Sequence, residues 1–243
     1  MNPTLTVLLY SSFAAATAAI GALALLKRGG IPTSWVGWAN AVAAGLMLGI
    51  AYVLAAAGWT YAPWTGALGA IAGIGFIYWT HLIHRTEDLD LNRLDEASPD
   101  YGHQVFLVQS LHSTSEGVAI GVAAALNLNL GIFTALALAA HNVAEGTVLT
   151  AVLRARAVRL GEAAGLAVLT NATQVLLALA SFVAISALPS LLPFALGFAV
   201  GALVHLVMME LLPESYDQAG HTSIALVTSV ATGLVVLLNG FLA

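Results

Sequence analysis

The sequence predicts an all-α integral membrane protein, a bundle of eight transmembrane helices. Hydrophobic residues make up 60% of the 243 residues and charged residues only 8%, which leaves too little polar surface to cover a soluble globule of this size. Apolar stretches of about 20 residues, the length that crosses a hydrocarbon layer ~30 Å thick, alternate with short polar breaks. We therefore expect residues 1–243 to form a single transmembrane domain.

Eight apolar segments follow one another along the chain. The breaks between them contain Gly, Pro, Asn or charged residues, which favour turns or end an apolar helix. The segments cover approximately residues 4–26, 34–57, 62–83, 104–126, 131–153, 161–187, 190–212 and 222–242. Because their number is even, both termini lie on the same side of the membrane.

The basic residues predict which side that is. All seven fall in the first, third and fifth breaks, at Lys27, Arg28, Arg85, Arg93, Arg154, Arg156 and Arg159. Short loops rich in Lys and Arg stay in the cytoplasm. We therefore expect these three loops to be cytoplasmic, both termini to face outward, and the chain to be a multi-pass protein of the plasma (inner) membrane.

The third break, residues 84–103, is an acidic loop. It holds six of the 12 acidic residues of the chain, and His81, His84 and His103 stand at its margins. A solvated connector and a weak metal-collecting segment both fit this composition. The chain has no run of basic residues of the kind that would indicate a nucleic-acid partner. The absence of Cys excludes thiolate metal sites.

A repeated motif carries the chemistry. The fourth segment contains His112-Ser113-Thr114-Ser115-Glu116-Gly117 and the fifth contains His141-Asn142-Val143-Ala144-Glu145-Gly146. A His and a Glu four residues apart lie on one face of a helix, one turn from each other. Because an unpaired carboxylate in hydrocarbon is costly, two such pairs indicate a functional site.

The two motifs also match in depth. If the fourth helix starts near residue 104, His112 and Glu116 lie ~12 and ~18 Å along it, and the antiparallel fifth helix places Glu145 and His141 at similar levels. Neighbouring helices would then pair His112 with Glu145 and Glu116 with His141. The sequence predicts a metal site of these four residues near the bilayer midplane.

Other polar residues are weaker candidates. Met47, Asn171 and Gln174 lie at similar depth, but Met often fills gaps in a core and amides often join helices. Glu210 and Glu214, with His205 and Met209, end the seventh segment. They fit either an exit site for an ion or simply the polar end of a span.

At these residues the chain resembles the ZIP family of zinc- and iron-regulated transporter-like proteins. The fourth helix of that family carries His-Asn-x-Pro-Glu-Gly, the fifth carries a related His-x-x-x-Glu-Gly motif, and the seventh ends like Glu210-Leu211-Leu212-Pro213-Glu214 here. The resemblance implies eight helices, outward termini and transport of a divalent metal. It also implies that a homodimer is a state to consider, because family members often dimerise.

The chain departs from the family pattern at three positions. The resemblance implies that a second, bridging metal site would use residues at Ser113, Asn142 and Gln174, yet all three are neutral here. Glu116 and Glu145 balance one divalent charge, and a second ion would leave positive charge uncompensated in a low-dielectric site. We expect one well-formed site. Ser115 and Ala144 also replace the prolines of the motif, which would free backbone carbonyls and kink the helices, so the local bend stays an open question.

The ligand types restrict the ion and the function. Imidazole with carboxylate suits Zn²⁺, Fe²⁺, Mn²⁺ or Co²⁺, and a thioether from Met47 would favour Cd²⁺. We expect a transporter that carries a divalent metal, first of all Zn²⁺, toward the cytoplasm, with the metal as cargo and no enzymatic activity. An intramembrane zinc hydrolase would need a spare acid or base beside the metal; a non-transporting metal sensor is the other alternative.

Overall fold

The computed structural model describes residues 2–26, 32–58, 60–84 and 101–242. These residues are helical apart from short turns, as an apolar chain in a membrane requires, because each helix satisfies its own backbone hydrogen bonds. The α-helices are α1 Pro3–Gly21, α2 Thr33–Gly58, α3 Pro63–His84, α4 Tyr101–Leu126, α5 Leu128–Ala155, α6 Leu160–Thr170, α7 Ala172–Ala187, α8 Leu192–Leu206, α9 Leu212–Ala219 and α10 His221–Leu242.

The helices make eight spans, the number that the apolar segments predict. The first five helices are one span each, α6 with α7 forms the sixth, α8 with α9 the seventh, and α10 the eighth. By length and composition, six of the described spans are apolar enough to cross a membrane. The chain is therefore a multi-pass membrane protein. Four of the seven basic residues that predict sidedness, Lys27, Arg28, Arg85 and Arg93, lie outside the described residues.

Two spans differ from the predicted helices. The sixth is interrupted at Asn171, where ψ is 4°. The predicted break at 213–221 is wrong, because α9 continues the seventh span to Ala219 through a π-helical turn, Val207–Leu211. Pro213 cannot donate a backbone hydrogen bond and clashes with the carbonyl four residues earlier, and the wider π turn accommodates it. The break shrinks to Gly220, which has φ 80°.

The spans form two groups of four. In the first group, α1, α4, α5 and the α6–α7 span contact one another extensively, and in the second group α2, α3, α8–α9 and α10 do so. Between the groups, α2 packs on α5, and α4 packs on α8 and α3. The large apolar side chains of the core, Met47, Ile50, Leu54, Ile120, Leu138 and Leu203, are almost completely buried.

Glycines bring the helices of each group into close contact. A Cβ at Gly73 of α3 would lie 2.2 Å from the Phe198 carbonyl oxygen of α8, and a Cβ at Gly146 of α5 would lie 2.1 Å from the Ala18 oxygen of α1. Such approaches are typical of membrane helices, where small residues allow tight packing. Among the described glycines, each close approach between helices lies within one group.

Candidate metal centre

The two motifs form one buried cluster where α4 meets α5. Glu116 and His141 are paired, with 3.1 Å between Glu116 Oε1 and His141 Nε2, as the antiparallel arrangement predicts. Glu145, one turn after His141, joins them, and each of the three offers a ligand atom within 4.8 Å of the other two. We call this set the inner cluster. The side chains of Glu116 and His141 are almost completely buried.

A second cluster lies next to it and takes one residue from each of three helices. His112 Nδ1 of α4 lies 3.5 Å from Glu210 Oε2, and His81 Nε2 of α3 lies 3.6 Å from the same oxygen. The rings of His81 and His112 are 5.2 Å apart between centroids. We call these three residues the outer cluster. His112 and Glu116 are one helical turn apart, so α4 contributes to both clusters.

This arrangement changes the predicted role of His112. The sequence pairs His112 with Glu145, whereas the ion-pair partner in the structure is Glu210. The π turn at Val207–Leu211 contains Glu210, and π turns often re-aim side chains at functional sites. The relation between Glu210 and α4 depends on tertiary packing of the seventh span, which the motif in α4 does not encode.

The sequence predicts His81 at the margin of the acidic loop, whereas the structure places it in the outer cluster. The signal for this role was present, because His81 lies inside the third apolar segment and an ionisable residue at that depth usually faces the bundle interior. His84, three residues later, has no described side chain, and the remainder of the acidic loop, residues 85–100, lies outside the described part.

A small cavity is lined by residues of both clusters, among them His141, Glu145, His112 and Glu210. The volume that the centres of water molecules can occupy in it is about 40 Å³, which is room for a few waters. It lies between the two helix groups, at the end where α4 begins and α9 lies. Its walls are formed by Asn40, Gln109, His112, His141, Glu145, Val148, Leu149, Leu206, Glu210, Leu211 and Glu214.

Several ligand atoms of both clusters are buried without a hydrogen bond. Within the described residues these include Oε2 of Glu116, Oε2 of Glu145, Nδ1 of His141 and Nε2 of His112. Burying a polar atom without a partner is costly, and for a carboxylate the cost is several kcal/mol. A divalent cation would satisfy these atoms, and imidazole with carboxylate is a donor set suited to first-row metals.

The weaker candidates have other partners. Met47 lies in the apolar core. Asn142 Nδ2 donates to Gln174 Oε1 at 2.9 Å, and the Ser113 hydroxyl lies 3.2 Å from Asn171 Oδ1. Each of the three neutral residues at the expected second site therefore takes part in a hydrogen bond between helices. α4 and α5 run without interruption through Ser115 and Ala144.

The chain is similar to two proteins named for zinc transport. It is 29% identical over 231 residues to a candidate zinc transporter of Arabidopsis thaliana, covering 93% of this chain and 37% of that protein. It is 40% identical over 111 residues to the zinc transporter GufA of Myxococcus xanthus, covering 45% of this chain and 44% of that one. The chain thus matches less than half the length of each relative. No family model matches it.

Proposed function

We propose that this multi-pass membrane protein is a ZIP-like transporter of divalent transition metals, with Zn²⁺ as its main cargo. The names of its relatives support the substrate class. The observation that carries the proposal is a pair of adjacent imidazole–carboxylate clusters, buried in the membrane-spanning part of the chain and lining a cavity between two helix groups.

The inner cluster supplies the charge that a divalent ion needs. Glu116 and Glu145 together provide two carboxylates, and His141 provides a neutral nitrogen ligand. Two negative charges and one divalent cation balance, which offsets the cost of placing either in a low-dielectric region. Every carboxylate of the inner cluster has a role as ligand, so a hydrolase would have to take its acid or base from the outer cluster.

The outer cluster gives the ion a next position. His112 lies one helical turn from Glu116 on α4, so an ion leaving the inner cluster can exchange one ligand at a time instead of crossing bare hydrocarbon. Glu210 and His81 would receive it, and Glu214 lines the cavity beyond them. If the basic loops are cytoplasmic, this path leads from the midplane toward the cytoplasm.

Alternating access would use the division into two groups. The inner cluster belongs to the first group, while His81 and Glu210 of the outer cluster belong to the second. A displacement of one group against the other would therefore separate or join the two clusters. Close glycine contacts hold the helices of each group together.

Metal uptake into proteoliposomes tests the proposal. The full chain should take up radioactive Zn²⁺ with saturable kinetics, and Glu116→Gln or His141→Ala should reduce the initial rate by about 10-fold or more, because losing a ligand or its orienting partner costs at least that much in metal affinity. Glu162→Gln, which removes an exposed carboxylate of α6, is the matched control and should transport like the native chain.

Two results would contradict the proposal in different ways. Uptake unchanged in both cluster variants would mean that the motifs are structural. Tight Zn²⁺ binding by the native chain without any flux would indicate the non-transporting sensor instead.

A further inference from the structure

Behind the inner cluster, on the side away from the cavity, neutral side chains join α4, α5 and α7. We propose that Ser113, Asn142, Asn171 and Gln174 are positioning residues that hold the metal ligands in place, an inference that rests on the proposed function. We call these four the amide network. It occupies the place where the family resemblance implies a second metal ion, and hydrogen bonds there would replace an ion as the link between helices.

The interruption of the sixth span centres on one residue of the network. Asn171 separates α6 from α7 and is 1% exposed. Its Nδ2 donates to the Ala167 carbonyl at 3.1 Å, which satisfies the backbone where the helix stops. Its Oδ1 lies 3.2 Å from the Ser113 hydroxyl, and its side chain interacts with the carboxylate of Glu145. One amide thus contacts a ligand on α5 and the residue beside a ligand on α4.

Further contacts fix the rotation of α4. Thr173 Oγ1 donates to the Ser110 carbonyl at 2.6 Å, and a Cβ at Gly117 would lie 2.3 Å from the Gln174 carbonyl oxygen. Ser110, Ser113 and Gly117 are spaced three and four residues apart, so they form one face of α4. That face packs on α7, which directs the adjacent face with His112 and Glu116 toward α5 and the second group.

Asn142 does the same for α5. It follows His141 in the chain, is fully buried, and its Nδ2 lies 2.9 Å from both the Gln174 oxygen and the Ala14 carbonyl of α1. Three helices therefore meet at one amide. Outer partners that orient ligands typically affect metal affinity by about 10–100-fold. Asn171 is such a partner of Glu145, whereas Asn142 fixes the turn of α5 that carries His141.

Zinc affinity of the detergent-purified full chain, measured by calorimetry, tests the role. Asn142→Leu and Asn171→Leu keep the side-chain size but remove the hydrogen bonds, and each should raise the dissociation constant for Zn²⁺ by about tenfold or more. Thr228→Val is the matched control, because the Thr228 hydroxyl makes a similar bond to the Ala41 carbonyl between α10 and α2. It should lower the unfolding temperature without changing zinc affinity.

Ser113→Ala provides a milder variant in case a leucine prevents folding. It should also weaken zinc binding, and combining it with Asn171→Leu should weaken binding no further than Asn171→Leu alone, because both remove the same contact. Metal-free unfolding temperatures of all variants separate loss of stability from loss of ligand positioning.

The outcomes distinguish this inference from the proposed function. Native-like zinc affinity in Asn142→Leu and Asn171→Leu, or in Ser113→Ala where the leucine variants do not fold, would overturn the inference and leave zinc transport standing. A native chain that binds no zinc would overturn the proposed function, and this inference with it.

Discussion

At the scale of single residues, charge balance decides what the centre can hold. The inner cluster has two carboxylates and the amide network beside it has none, although Asn142 and Gln174 differ from Asp and Glu only in one terminal group. Their side chains approach to 2.9 Å. Two carboxylates at that distance in a buried site would repel strongly unless a cation lies between them.

We therefore expect Asn142→Asp combined with Gln174→Glu to create a second metal position. The double variant should bind one more Zn²⁺ per chain than the native protein, and zinc should raise its unfolding temperature more than it raises the native one. Elemental analysis after removal of loosely bound metal gives the count. An unchanged count would contradict the charge argument and point to geometry, most simply to the missing prolines at Ser115 and Ala144.

Residue types in the two motifs were sufficient to predict the Glu116–His141 pair, because helical periodicity and antiparallel packing leave few alternatives. They were insufficient for the contacts of Glu210 and His81 with His112, although the sequence does indicate Glu210 as a candidate exit site. Those residues come from α3 and from the π turn before α9, and their approach to His112 depends on how separate spans pack. Local sequence does not encode such packing. The sequence therefore predicts the contact of α4 with α5 at Glu116, but not the contacts of His112 with the third and seventh spans.

At the scale of elements, the spans were predictable and their irregularities were not. Hydropathy and length identify all eight spans, since a helix must cross a fixed thickness of hydrocarbon. Hydropathy does not predict the interruption at Asn171, because it depends on side-chain hydrogen bonds to α4. Nor does it predict the continuation through Pro213, because that depends on a π turn that accommodates proline. Glycines within helices are similarly ambiguous in sequence, although the structure separates those at contacts from those facing open space.

Gly73 and Gly75 of α3 give a matched test of the tight α3–α8 contact. An added methyl at Gly73 would lie 2.2 Å from the Phe198 oxygen, whereas at Gly75 nothing lies within 4 Å. Gly73→Ala should destabilise the protein by about 1–3 kcal/mol through overpacking. Gly75→Ala should be neutral or stabilising, because alanine favours a helix over glycine. Thermal unfolding in one detergent compares them, and equal effects would mean that α3 and α8 separate easily.

At the scale of the whole molecule, sidedness sets the direction in which the proposed path is used. The outer cluster lies on the side of the inner cluster that faces the end with Arg154, Arg156 and Arg159, and the positive-inside rule predicts that this end is cytoplasmic. The opposite end contains the α7–α8 turn, with Pro189–Leu191.

Thiol labelling of intact cells checks this prediction cleanly, since the native chain has no cysteine. Ser190→Cys, at the exposed α7–α8 turn, should react with a membrane-impermeant maleimide from outside. Ala157→Cys, exposed in the α5–α6 loop, should react only after the cells are opened. The reverse pattern would turn the proposed path outward, making efflux the expected direction.

Among the links between the two helix groups, the one between α7 and α8 is described in full. It consists of residues 188–191, and four residues can extend no further than about 14 Å. The ends of α7 and α8 that this link joins therefore stay close together, and any displacement of one helix group against the other is limited at this end of the bundle.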